Sequence, residues 1–125
     1  MSVLEATRLT AAQCGSAMRD GEFGPDVLGA AESVAVVMTQ GWCPQWKAMA
    51  SWLDAAAAEA GARAFYVEYD EEDFFEPFMA WKEDFLGNRS VPYVRFYRDG
   101  KLSGECNYVS RDAFAAALRR RAPSR

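Results

Sequence analysis

Apolar positions along this chain fall into short blocks with different periods. Residues 34–38, Val-Ala-Val-Val-Met, form an unbroken apolar run with β-branched members, as expected of a strand buried on both faces of a central sheet. Gly41-Trp42-Cys43-Pro44 interrupts the run. From Pro44 to Ala60 the apolar residues fall at 46, 49, 52, 53, 56 and 57, which is helical spacing. Pro44 suits a first helical turn, where its missing N–H would have had no partner, and Gly61 suits the stop. Residues 62–69 predict a second strand. Pro77 argues against one helix running from Asp70, so the next helix is expected over 75–85, ended by Gly87-Asn88. Residues 91–97 alternate, Asp99-Gly100 reads as a hairpin turn, and residues 101–107 read as the returning strand. Ser110 caps a last helix over 111–120, with Asp112 in its first turn and Arg119, Arg120 and Arg121 complementing its end. At the front, Thr10-Ala11-Ala12-Gln13 matches a capping box and predicts a short helix over 11–19. Residues 23–31 predict a second, weaker one. The order is β-α-β-α-β-β-α behind a variable segment, residues 1–22, that is helical and packed on the domain. Residues 122–125 read as a disordered tail.

Composition narrows the chemistry. The 125 residues suffice for one domain and are half apolar, so a packed core is within reach. There is no histidine, which removes Ser-His-Asp and Cys-His catalysis and imidazole metal sites. A net charge of −4 argues against nucleic acid as a partner. The three cysteines, Cys14, Cys43 and Cys106, form no C-x-x-C pair, so neither a zinc site nor a disulfide framework is expected, and no metal or other cofactor. An odd cysteine count fits a reducing compartment. No apolar run approaches the roughly 20 residues of a membrane span, so no membrane partner and a cytoplasmic location are expected. The acidic stretch from Glu68 to Glu76 reads as a solvated loop leading into a helix. Oligomeric state leaves no mark on the sequence.

Cys43 carries the most chemistry. It sits between a buried strand and a helix start, where free N–H groups and the positive helix end favour a thiolate. A lone cysteine is more often an inert, buried one, but Trp42 and Pro44 on either side favour a functional thiol. At this point the chain resembles the thioredoxin superfamily. Trp42-Cys43-Pro44-Gln45-Trp46-Lys47 stands where that family has W-C-G-P-C-K. Phe23, Asp26, Val27 and Leu28 precede the first strand as in the family, and the segment from Ser90 to Gly100 is similar to its I-P-T-x-x-x-F-x-x-G. The resemblance implies a thioredoxin-like α/β fold over residues 23–121, a central mixed β-sheet flanked by α-helices. It also implies a cis-proline at Pro92 beside the active Cys43, and thiol–disulfide exchange.

The departures bear on one chemical step. Trp46 replaces the family's second redox cysteine, Val37 its buried acid and Tyr66 the lysine that partners that acid. All three serve release of the mixed disulfide. The resemblance therefore implies a protein with a single active-site cysteine that forms mixed disulfides with protein thiols or glutathione in cell redox homeostasis. Trp42, Pro44, Trp46, Val91, Pro92 and Tyr93 would bind substrate, unless Trp46 folds over Cys43 and buries it. Cys106 is a candidate resolving thiol, its alternative being a strand cysteine packed as a small hydrophobe. Two other functions stay open: a redox-inactive protein-binding module on the same fold, and a weak reductase or isomerase that uses an external or distant resolving thiol. Whether the protein is an enzyme is left open with them.

Overall fold

A computed structural model of the protein describes residues 8–119. Strand β1 (Ser33–Thr39) is the axis of a four-stranded mixed sheet. It pairs in parallel with β2 (Arg63–Glu68) and antiparallel with β3 (Tyr93–Arg98), which carries the edge strand β4 (Lys101–Cys106). Every residue of β1 is buried, as its unbroken apolar run predicts for a strand covered on both faces.

Alternation along the strands builds two cores. Val34, Val36 and Met38 face helices α1 (Ala11–Asp20) and α2 (Pro25–Leu28), with the aromatic residues that follow β2. Ala35 and Val37 face the other side, against α3 (Pro44–Ala50), α4 (Leu53–Glu59) and the last helix, α6 (Arg111–Leu118). The Thr10 hydroxyl accepts from the Gln13 amide, and the Gln13 side chain accepts from the Thr10 amide, so the capping box forms as read. Ser110 caps α6 by accepting from the Ala113 amide. The β3–β4 turn puts Asp99 and Gly100 at φ 53° and 79°, the conformation of a tight two-residue hairpin.

Two elements differ from expectation. The helix read over 44–60 is two, α3 and α4. The Ser51 hydroxyl donates to the Ala48 carbonyl at 2.6 Å, and Trp52 leaves helical geometry to set its ring edge-on against Phe114 of α6. The helix read over 75–85 is α-helical only in α5 (Phe75–Ala80) and then widens into a π-helical turn, Trp81–Phe85. The tail read as disordered at 122–125, and the Arg120 and Arg121 assigned to the end of α6, lie outside the described residues. No helix among the described residues is long and apolar enough to cross a membrane.

Candidate functional site

The site lies where β1 ends. Asp70 accepts a hydrogen bond from the Gly41 amide at 2.8 Å and fixes the loop that leads to Cys43. Pro44 opens α3 and makes Cys43 its N-cap residue, with the Cys43 carbonyl accepting from the Lys47 amide at 3.1 Å. The Cys43 side chain takes no hydrogen bond from the helix start. Its thiol, on a residue only 4 % exposed, donates instead to the Val91 carbonyl at 3.8 Å. The Val91–Pro92 peptide bond is cis, with Val91 half-buried and Pro92 buried.

The residues expected to bind substrate separate into two groups. Trp42 is 61 % exposed, its indole N–H donating to the Gln40 side chain, and Pro44 is exposed beside it. Trp46 and Tyr93 are not available. Trp46 is 1 % exposed, lies 5.4 Å from the Tyr66 ring, and donates from Nε1 to Glu68 at 2.7 Å. Three residues after the cap it turns with Met49 into the core under the sheet, in the same cluster that holds Cys43. Tyr93 is fully buried on the opposite face, because β3 alternates: Val94 sits with Cys43, while Tyr93 joins the other core and shares its hydroxyl between Arg95 and Glu105.

Val37 and Tyr66 are register partners across β1 and β2, and Trp46 packs on Tyr66. The three departures from the resembling motif thus touch one another and form one apolar patch behind Cys43. Cys106 ends β4 opposite Val94, half-buried, and packs against the same cluster. Cys14 lies in the other core, where burial pushes its thiol up to about 12. None of the three cysteines is in a disulfide. The acidic stretch is in part built in, Asp70 holding Gly41 and Glu72 pairing with Arg8 at 2.7 Å.

Two residues at the site were missed in the sequence. Asn107 donates from Nδ2 to the Pro92 carbonyl at 2.9 Å, and Lys82 is buried beneath the loop before Pro92. Neither stands in a recognisable motif. A lysine in an aromatic segment gives no sign that it points inward.

Among solved structures, thioredoxin O1 from Arabidopsis thaliana in its oxidized state is similar to this chain at a TM-score of 0.66 and 13 % identity, over 94 % of this chain and 97 % of its own. The short form of thioredoxin F from spinach chloroplast gives 0.60 and 24 %, over 78 % and 83 %. Mitochondrial thioredoxin 3 from Saccharomyces cerevisiae gives 0.57 and 18 %, over 90 % of each chain. The fold is that of thioredoxin, a mixed sheet flanked by helices, as the resemblance implied. No protein-family model matches the chain, and no curated protein does.

Proposed function

We propose that this thioredoxin-fold protein exchanges with disulfides through one cysteine, Cys43, and forms mixed disulfides with protein thiols or glutathione in the redox homeostasis of the cytoplasm. The observation that carries the reading is the contact between the Cys43 sulfur and the Val91 carbonyl at 3.8 Å, at a helix start with the exposed Trp42 beside it. That contact sets the sulfur against the backbone of the segment before Pro92. A disulfide partner would be received between this segment, Trp42 and Pro44. Once its proton is lost to solvent, the Cys43 thiolate attacks one sulfur of the partner disulfide. A new S–S bond forms to Cys43, the old one breaks, and the departing sulfur leaves as a thiolate that takes a proton from water. Cys43 is oxidised to the mixed disulfide and the departing half is reduced.

The interior beside Cys43 is filled by Trp46, so the mixed disulfide has no neighbouring thiol on α3 to eject it. It waits for an external thiol. The low exposure of Cys43 favours one second reading, a binding module that presents Trp42 and performs no exchange. Incubation of the folded protein with oxidised glutathione, followed by mass spectrometry, separates the two. One glutathione on Cys43, absent in Cys43→Ser, is the expected result. A folded protein whose Cys43 stays unmodified would replace exchange by binding alone.

A further inference from the structure

Lysine side chains are almost never fully buried unless partnered, because burying an ammonium without partners is costly. Lys82 is fully buried, within the π-helical turn. Its neighbours Glu83 and Asp84 stay outside, where they pair with Arg89 at 3.1 and 2.8 Å. Lys82 Nζ reaches inward and donates to two backbone carbonyls, Asn88 and Ser90, each at 2.8 Å. It also lies 5.6 Å from the centre of the Tyr93 ring and 6.0 Å from that of Tyr69, within reach of both π faces.

Asn107, the residue after β4, completes the hold. It donates to the Pro92 carbonyl at 2.9 Å and exchanges hydrogen bonds with the Asn88 amide side chain at 3.0 and 3.2 Å. The carbonyls of Asn88 and Ser90 are thereby turned to Lys82, and that of Pro92 to Asn107. The Val91 carbonyl lies between them in sequence and is turned to the Cys43 thiol.

We infer that Lys82 is a positioning residue of the thiol site: its ammonium fixes the Asn88–Ser90 backbone and so sets the Val91 carbonyl and the Pro92 segment against Cys43. The inference rests on the exchange reading above. Hydrogen bonds from an ammonium are roughly twice as strong as neutral ones, and this ammonium bonds both carbonyls, that of Ser90 also accepting from Asn107 at 3.4 Å. Displacements of about 1 Å at a reacting centre cost up to about a hundredfold in rate.

The charge on Lys82 is open to titration. Burial holds its pKa down to about 8, opposed by Glu83 on the same turn. The other groups facing it are the phenols of Tyr69 and Tyr93, both pushed up by burial, the latter to about 12. Beyond Tyr93, Arg95 and Glu105 are bonded to its hydroxyl.

Two measurements test the inference. In Cys43→Ser, which removes the thiol's own titration, the ¹³C shifts of the Asn88 and Ser90 carbonyls are followed from about pH 6 to 10. They should move together with a midpoint near 8, and the movement should vanish when Lys82→Met is added. Carbonyl shifts at pH 7 that Lys82→Met leaves unchanged, or a titration that survives Lys82→Met, would overturn it. With Cys43 present, Lys82→Met should slow adduct formation with oxidised glutathione by about tenfold to a hundredfold at pH 7, under conditions where circular dichroism shows it folded. An unchanged rate in the folded variant would mean that Lys82 supports the loop without positioning the site, which also overturns the inference. If the parent protein forms no adduct at all, the exchange reading fails, and with it the positioning role. Should Lys82→Met not fold, Lys82→Gln takes its place in both measurements.

Discussion

Val37, Tyr66 and Trp46 pack into the one cluster that also holds Cys43. Val37 is fully buried between Tyr66 on β2 and Val94 on β3, in the cluster that also holds Cys43 and Trp46. A carboxyl group there would be taken out of water into a largely apolar cluster. Val37→Asp should therefore destabilise the protein by about 1–3 kcal/mol, read as a lower melting temperature. An unchanged melting temperature would mean that residue 37 is not in the core. The sequence disclosed these three positions one by one, through the motif around Cys43. It did not disclose that they touch, nor that Trp46 points inward and Tyr93 lies on the far face. Those facts depend on which side of a helix or strand the fold covers. The thiol's contact with the Val91 carbonyl likewise joins residues 48 apart in the chain and has no local sign.

At the level of elements, the legible features are the ones whose cause is local. The capping box at Thr10 and Gln13, the cap at Ser110, the buried run of β1 and the turn at Asp99-Gly100 all formed as read. The turn makes this testable. Gly100 has φ 79°, and a Cβ added there would meet no atom within 4 Å. Any cost of substitution is then backbone strain, not a clash. Gly100→Val should lose about 1–3 kcal/mol in urea unfolding, while Gly100→Asn, which tolerates positive φ, should lose clearly less. Equal losses for the two would argue that strain at φ is not what glycine relieves here. The illegible features have distant causes. The break between α3 and α4 answers to Trp52 meeting Phe114. In the π-helical turn, Lys82 is bonded to carbonyls that follow it in the chain.

On the scale of the whole molecule, the sheet separates two cores, and the candidate site sits at one end of the boundary between them. Cys43 belongs to one core and Tyr93 to the other, and Val91 packs against both. The thiol is thus held by the global arrangement of β1, β3 and α3, while Trp46 closes the interior behind it. Cys106 packs against the same core as Cys43, and Cys14 is sealed in the opposite one. One thiol acting without a resolving partner is the chemistry proposed for Cys43, and the fate of its adduct tests that most directly. The protein carrying one glutathione on Cys43 is freed of excess reagent, kept folded without reductant, and followed by intact mass and peptide mapping. The glutathione should remain on Cys43 and leave only when an external thiol is added. Spontaneous loss of glutathione together with a new Cys43–Cys106 disulfide would contradict single-thiol exchange and make Cys106 the resolving thiol.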